Sequence, residues 1–371
     1  MRVLMTGGGT AGHVNPAIAI ANTIKEYEKD CEIAFVCSTL ARDKAQDLVP
    51  RAGYELMKVD ILPSYRIYDP RNIKTLISMA KSKRQAKKII NDFKPDVIIG
   101  TGGFACYPVL NAGAEMGIPT VVHESNAIPG RAVKKLAPKV DVVMVNFESS
   151  AEMLGGAKRV MHVGNPQVVG QKKEAGEIKL AEKFEKSVLI FGGSLGAENL
   201  NRAVADMLAT IADKYPKIEF YHASGKRDFE EMKAIYAEKG LDKKSNTVLV
   251  DYIYDMDARM KNADLVISRA GAMTISELAL LSKAAVLVPS PFVAANHQFK
   301  NAKSLSDVGA CVLVEEKDFA SDKLTHDVVE LLENSEKRLE LQKNIAKFAK
   351  PDANKVIYDE IKSVMANKSK K

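Results

Sequence analysis

The chain repeats one pattern twice, about half its length apart, and this repeat limits the folds open to it most. Arg2-Val-Leu-Met-Thr6 is an apolar run that leads into Gly7-Gly-Gly-Thr-Ala-Gly-His13, and then into the helical spacing of Pro16 to Ile24. Val188-Leu-Ile-Phe191, Gly192-Gly-Ser-Leu-Gly-Ala197 and a helical stretch from Glu198 restart it. Strand, glycine loop, helix is the opening unit of a doubly wound parallel sheet. At 371 residues the chain is too long for one ordinary core, so one such sheet in each half is expected. Further strand-like runs are Glu32–Cys37, Tyr54–Val59, Pro95–Ile99, Thr120–His123, Asp141–Val145, Val160–Val163, Glu219–His222, Val248–Ile253, Leu265–Ile267 and Val286–Pro289. Runs without polar alternation suit parallel strands buried on both faces.

Ligands in an open parallel sheet gather at the carboxyl ends of its strands. In the first half those ends deliver His13, Gly102-Gly103 and His123-Glu124-Ser125-Asn126. The first loop fits G-x-G-x-x-G through Gly7, Gly9 and Gly12, but the second strand ends in Ser38-Thr39 without the acid a dinucleotide's ribose needs. A nicotinamide cofactor is therefore not expected. In the second half Leu265-Val-Ile267 runs into Ser268-Arg-Ala-Gly-Ala272, and a helix is expected from Ser276. A turn of tiny residues before a helix start leaves backbone N–H groups accessible to phosphate. On this stretch alone Thr274-x-x-Glu277 reads equally well as a capping box.

Four scattered cysteines without metal-type spacing read as reduced core thiols. No apolar run reaches the ~20 residues of a membrane span, and the N-terminus enters a strand rather than a signal peptide. The net charge of +7 favours an anionic partner. Nucleic acid is not expected, because the basic residues lack interleaved aromatics and there is no Trp. Ile73 to Ile90 has helical apolar spacing amid Lys74, Lys81, Lys83, Arg84, Lys87 and Lys88. It is either an ordinary solvated basic helix or an interfacial one, with Ile73, Leu76, Ile77 and Ala80 against lipid. Asp255-Met-Asp257 could suggest a metal, but the pair opens a helix, where Asp is a routine N-cap. No metal is expected.

Taken in order, Gly7–His13, Gly100-Thr-Gly-Gly-Phe104, His123–Asn126, Val163-Gly-Asn-Pro166, Gly192–Ala197 and Arg269–Glu277, with Gln298 and Asn301, resemble the MurG family of peptidoglycan N-acetylglucosaminyltransferases. The resemblance implies an α/β chain of GT-B fold, two Rossmann-like doubly wound parallel-sheet domains facing across a cleft. The first would span 1–163 and the second 187–350. A hinge and linker at 164–186 and a C-terminal helix and tail at 351–371, crossing back to the first domain, complete the expected division. It implies inverting transfer of N-acetylglucosamine from UDP-N-acetylglucosamine to lipid I, giving lipid II, without metal or cofactor. The location implied is peripheral, at the anionic cytoplasmic face of the membrane. A related transferase acting on another acceptor, or a non-catalytic sugar-nucleotide-binding subunit, are the competing classes; intact His13, Glu124 and Gln298 argue against the latter.

By the same resemblance, Glu277 would meet the ribose and Ile253 the uracil through its backbone. Ser194 and the helix start at Ala272, Met273, Thr274, Ile275 and Ser276 would take the diphosphate. Gln298 and Asn301 would read the sugar. Thr10, Ala11, Gly12 and Asn126 are expected at bound substrate, and Gly102, Gly103 and Ser125 on the acceptor side. His13 is the first choice for the base and Glu124 the second, since imidazole suits proton abstraction near neutrality. Two departures stand out. The hinge reads Gly164-Asn-Pro-Gln-Val168 where the family commonly has an arginine at the last position, leaving Lys172, Lys173 or Arg269 to supply the charge. Ala45 stands where a glutamate often precedes Leu-Val-Pro.

Overall fold

The apolar runs form two parallel sheets, in a computed structural model that describes residues 1–62, 72–166, 180–193, 196–293 and 296–368, apart from the side chains of residues 72–74, 76 and 77. The first contains β1 (Arg2–Thr6), β2 (Glu32–Ser38), β3 (Glu55–Val59), β4 (Val97–Gly100), β5 (Thr120–Glu124), β6 (Val142–Val145) and β7 (Val160–His162). Their order is β3-β2-β1-β4-β5-β6-β7. The second contains β8 (Lys186–Phe191), β9 (Ile218–Ala223), β10 (Thr247–Val250), β11 (Leu265–Ser268), β12 (Ala285–Leu287) and β13 (Val312–Leu313), in the order β10-β9-β8-β11-β12-β13. Each sheet starts in its middle and reverses direction, between β1 and β4 in one and between β8 and β11 in the other. These are the two switch points at which an open α/β sheet offers a crevice.

The chain divides into two compact units, Met1–Val169 with Lys350–Lys371, and Gly170–Ala349. In the first, pleating sends Val3 and Met5 to one face of β1 and Leu4 to the other. Val3 and Met5 join the helix Ala11–Tyr27, through Val14, Ile20 and Ile24, and the final helix Ala353–Lys368, through Ile357, Ile361 and Val364. Polar ties hold that last helix down: Tyr358 and Lys362 both donate to Glu28 (2.8 and 2.7 Å). Arg159 grips the buried Glu360 at 2.8 Å. The opposite face packs Leu4 and Ile98 against Ala86, Ile90 and Phe93 of the helix Asn72–Phe93, and against Val109 and Leu110. In the second unit Val188, Ile190, Phe220 and Ile267 centre a core closed by Leu200, Val204 and Leu208 of the helix Glu198–Ile211.

The basic helix therefore turns Ala86 and Ile90 into the core, with Ala80, Lys81, Arg84 and Lys88 on its exposed side. Ile73, Leu76 and Ile77 lie outside the described side chains. Several cations of the helix are already neutralised: Lys81 pairs with Asp60 at 2.8 Å, and Lys83 and Lys87 share Glu115 at 2.5 and 3.2 Å. The bond from Lys83 leads in holding the Glu115 carboxyl down at about 2. No helix among the described residues is long and apolar enough to cross a membrane. One local expectation changes: β10 ends at Val250 rather than Ile253. β13, two residues long, is too short to leave a periodic signal in the sequence.

Candidate functional site

At the switch point of the first sheet, β1 ends in the glycine loop and β4 in Thr101-Gly102-Gly103, and the two loops interlock. The Gly8 N–H donates to the Gly102 carbonyl (3.4 Å), and the Thr101 hydroxyl donates to the His13 carbonyl (2.6 Å). This closeness demands glycine. A Cβ on Gly103, at φ +86, would lie 2.1 Å from the Gly8 oxygen, and one on Gly102, at φ +98, 2.7 Å from His13 Nδ1. The helix Ala11–Tyr27 starts here without a side-chain cap or an acidic residue in its first turn, and Thr10 and Gly12 are exposed at its mouth. His13 Nδ1 lies 2.9 Å from the Thr101 carbonyl. A carbonyl only accepts, so Nδ1 carries the hydrogen, and the neutral imidazole keeps its lone pair on Nε2. A half-buried histidine of fixed tautomer is equipped to take a proton at Nε2.

The end of β5 is built differently. His123 is wholly buried and donates from Nε2 to the Gly164 carbonyl at 2.8 Å; the buried Ser125 hydroxyl lies 3.4 Å from its Nδ1. Burial pushes its pKa down, so it is a neutral core histidine. Glu124 is 2% exposed. Its Oε1 accepts from the Asn126 backbone and amide (2.9 and 3.0 Å), and its Oε2 from the Gly130 N–H at 2.8 Å. With both oxygens engaged, the carboxylate braces the loop from 124 to 130. That geometry ranks it well behind His13 as a proton acceptor, and it ties Asn126 to the brace.

At the switch point of the second sheet the helix runs Ala272–Leu280, with Gly271 as its N-cap and no side-chain cap. The expected start at Ser276 is thus one turn late, and the capping-box reading fails. Thr274 and Glu277 sit inside the helix, because Gly271 takes the extended cap geometry and Ala272 opens the first turn. Ser276 donates to the Ala272 carbonyl at 3.1 Å. With Gly271 offering no side-chain cap, the N–H groups of Met273 and Thr274 in the first turn keep the helix dipole available to an anion. Glu277 is half-buried, and among the described residues no hydrogen bond or ion pair holds its carboxyl. Burial first, then the charge of Asp257, push its pKa up to about 7. This is a carboxyl without a partner among the described residues, beside a helix start that suits phosphate.

Around it, Ile253 is buried, and Gln298 Oε1 accepts from the Ser290 N–H at 2.8 Å, leaving its amide nitrogen unpaired among the described residues. Asn301 lies against the same turn. It is 1% exposed and its Nδ2 donates to the Ala270 carbonyl at 3.3 Å, so it also braces the small-residue turn from within. Arg269 is no free cation either: its guanidinium holds Glu316 at 2.5 Å and the Val288 carbonyl at 3.2 Å. Ser194, Val168, Lys172 and Lys173 lie outside the described residues. Asp255 occupies an N-cap position, but its side chain pairs with Arg259 (3.4 Å) rather than capping.

Two polar devices escaped the sequence reading. Buried Asn201 donates to the Ser224 carbonyl and to Asp228 (2.9 and 3.1 Å), and its oxygen lies 3.1 Å from His222 Nε2. Tyr236 lies 2.9 Å from His222 Nδ1, and burial lowers the histidine to about 3. This buried network fixes the loop after β9 against the glycine loop after β8, since a Cβ on Gly196 would lie 2.4 Å from Asp228. The other device is Asp43, buried beneath the first glycine loop. Asn201 offered no sequence signal beyond a polar residue on a helix's apolar face, and Asp43, between Arg42 and Lys44, offered none.

Residues 3–145 match the glycosyltransferase family 28 N-terminal domain, and residues 187–357 match its C-terminal domain. The chain is 38% identical over 375 residues to the UDP-N-acetylglucosamine-N-acetylmuramyl-(pentapeptide) pyrophosphoryl-undecaprenol N-acetylglucosamine transferase of Acetivibrio thermocellus, covering 100% of both chains. To the enzyme of that name from Bacillus cytotoxicus it is 36% identical, over 98% of this chain and 100% of the other. The crystal structure of Acinetobacter baumannii MurG superimposes with a TM-score of 0.77 at 26% identity, over 98% of this chain and 99% of that one.

Proposed function

The chain belongs to glycosyltransferase family 28, and from that membership and the site geometry we infer that it transfers N-acetylglucosamine from UDP-N-acetylglucosamine to the muramyl sugar of lipid I, giving lipid II. The observation that carries the donor half is the Glu277 carboxyl, without a partner among the described residues, on the helix Ala272–Leu280, whose N-cap Gly271 supplies no side chain. A ribose supplies two hydroxyl donors for such a carboxylate, and a diphosphate supplies the anion for the helix start. The Ile253 backbone meets the uracil, and the Gln298 amide the sugar. On the acceptor side, His13 Nε2 takes the proton from the attacking hydroxyl, whose oxygen then displaces UDP from the anomeric carbon with inversion. The leaving diphosphate is stabilised by N–H groups already oriented before reaction. Thr10, Ala11 and Gly12 offer a second uncapped helix start, suited to an anionic group of the substrate. Glu124, Ser125 and Asn126 shape the loop beside it. Incubation with radiolabelled UDP-N-acetylglucosamine and a lipid I analogue tests the reading: labelled lipid II is expected, and hydrolysis of the donor without transfer would overturn it.

Turnover is expected to persist in saturating EDTA. Asp255 is paired with Arg259, which also holds Glu219 at 3.1 Å, so one carboxylate of the Asp-x-Asp pair is already engaged. Activity lost on chelation and restored by magnesium or manganese would refute this.

Lipid I is membrane-anchored, so the enzyme must dock at the cytoplasmic face, and the helix Asn72–Phe93 is the surface we assign to it. Arg84 and Lys88 are exposed on its outer side, and each such cation contributes about 1 kcal/mol near anionic lipid. Lys81, Lys83 and Lys87 add less because of their acidic partners. Cosedimentation with anionic but not neutral vesicles is expected, with partial release at high salt. Replacing Ile73, Leu76 and Ile77 with Ser should weaken binding and slow turnover on vesicle-borne acceptor only. Undiminished vesicle binding by that variant would place docking elsewhere.

A further inference from the structure

Asp43 is 3% exposed and makes no ion pair among the described residues, yet four donors converge on its carboxyl. The Ser38 N–H and hydroxyl reach Oδ2 at 3.0 and 2.6 Å. The N–H groups of Gly9 and Ala45 reach Oδ1 at 2.7 and 3.1 Å. Burying a carboxylate without a cation is costly, and it is tolerated only when its lone pairs are satisfied this fully. The contact that matters for function is the one to Gly9. This residue stands at φ +87, its carbonyl also meets the Lys44 N–H at 3.5 Å, and it precedes Thr10, the N-cap of the helix that carries His13. Gly8 is pressed against the same carboxyl, since a Cβ there would lie 2.6 Å from Oδ2. The loop is thus gripped from both sides, by Thr101 at the end of β4 and by Asp43 after β2. With the second grip gone, glycines at 7, 8 and 9 give the backbone freedom to drift.

We infer that Asp43 is a positioning residue for the transfer reaction, fixing through Gly9 the glycine loop and helix start that aim His13. The inference rests on the assignment of His13 as base. Three of the four donors are backbone N–H groups, which cannot reverse. In Asp43→Asn, either orientation of the amide therefore sets an NH2 group against at least one of them. The turn keeps its volume but loses its fit.

The experiment compares wild type, Asp43→Asn and the milder Ser38→Ala, which deletes only the hydroxyl donor and keeps the test available if the first variant folds poorly. Turnover of Asp43→Asn is expected to fall roughly 10- to 100-fold, as for a slight misplacement of a reacting group. Ser38→Ala should fall less, in the same direction. Affinity for UDP-N-acetylglucosamine, which the second unit binds, should stay within about twofold. The discriminating readout is the long-range proton–nitrogen spectrum of the histidine rings. Wild-type His13 is expected as the Nδ1–H tautomer, and Asp43→Asn should move that signal toward a mixture as the bond to the Thr101 carbonyl loosens. An unmoved His13 signal overturns the inference, as does unchanged turnover, or a donor affinity that falls in step with turnover. If the signal moves but His13→Gln itself retains full turnover, the base assignment is what fails.

Discussion

Replacing His13 with alanine is expected to lower turnover roughly 10²–10⁴-fold, the usual contribution of a positioned general base. Affinity for UDP-N-acetylglucosamine should hardly change. The expectation follows from the ring's single fixed hydrogen bond. Nδ1 is committed to the Thr101 carbonyl at 2.9 Å, so the neutral ring presents Nε2 as its only basic atom. Gly102→Ala should mimic part of the loss by displacing the imidazole without removing it, because its Cβ would fall 2.7 Å from Nδ1 at a backbone angle of φ +98. Glu124→Gln provides the contrast. It forfeits one side of a brace between Asn126 and Gly130, so its effect should be a looser loop and a smaller rate loss. Single-turnover rates with donor and a short-chain acceptor separate these outcomes. Should His13→Ala stay within a fewfold of wild type while Glu124→Gln loses most of the rate in a folded protein, the two roles are reversed.

Glu277→Gln is expected to weaken UDP-N-acetylglucosamine binding roughly 10- to 100-fold, since each hydrogen bond to a charged acceptor contributes about 1.5–3 kcal/mol. The effect should depend on pH. Burial, then Asp257, raise the free carboxyl to about 7, and only the ionised form accepts from both ribose hydroxyls. Donor affinity of the wild type should therefore strengthen between pH 6 and 8, while Glu277→Gln stays flat. Stability of the free protein should run the other way. A carboxyl whose folded pKa is raised imposes no ionisation cost below its unfolded value near 4.5, a growing cost above it, and the full cost above about 7. At pH 8, Glu277→Ala should consequently melt no lower than wild type, although it binds donor poorly. Titration calorimetry across pH, beside thermal melts, checks both signs. Unchanged affinity with a lowered melting temperature would return Glu277 to a purely structural role.

Residues whose meaning is local were legible before the fold was known. The runs Arg2–Thr6 and Val188–Phe191 could only be buried strands, and the glycines after them could only be tight turns, because both follow from side-chain size and backbone sterics over a few residues. His13 and Gly102 stood out for the same reason, as a polar and a tiny residue in the loops behind strand ends, and Glu277 as an acid close behind a turn of tiny residues. Helix boundaries were less so. Thr274-x-x-Glu277 has the composition of a capping box, but Gly271 and Ala272 start the helix earlier.

The sequence by itself thus determined the two sheets, their glycine turns and the strand ends at which chemistry had to occur. The tertiary structure alone decided what each polar group there was free to do. Arg269 reads as an available cation until Glu316, far along the chain, takes it. Asn301 reads as an exposed polar residue until the fold buries it and sets its Nδ2 on the Ala270 carbonyl. Asp43 carries no local signal until β1 and β2 bring Gly9 and Ser38 to its two oxygens. The physical reason is common to all three. A strand or a turn is selected by near neighbours, whereas a hydrogen-bond partner or a desolvation penalty depends on which segments the sheet order lays side by side.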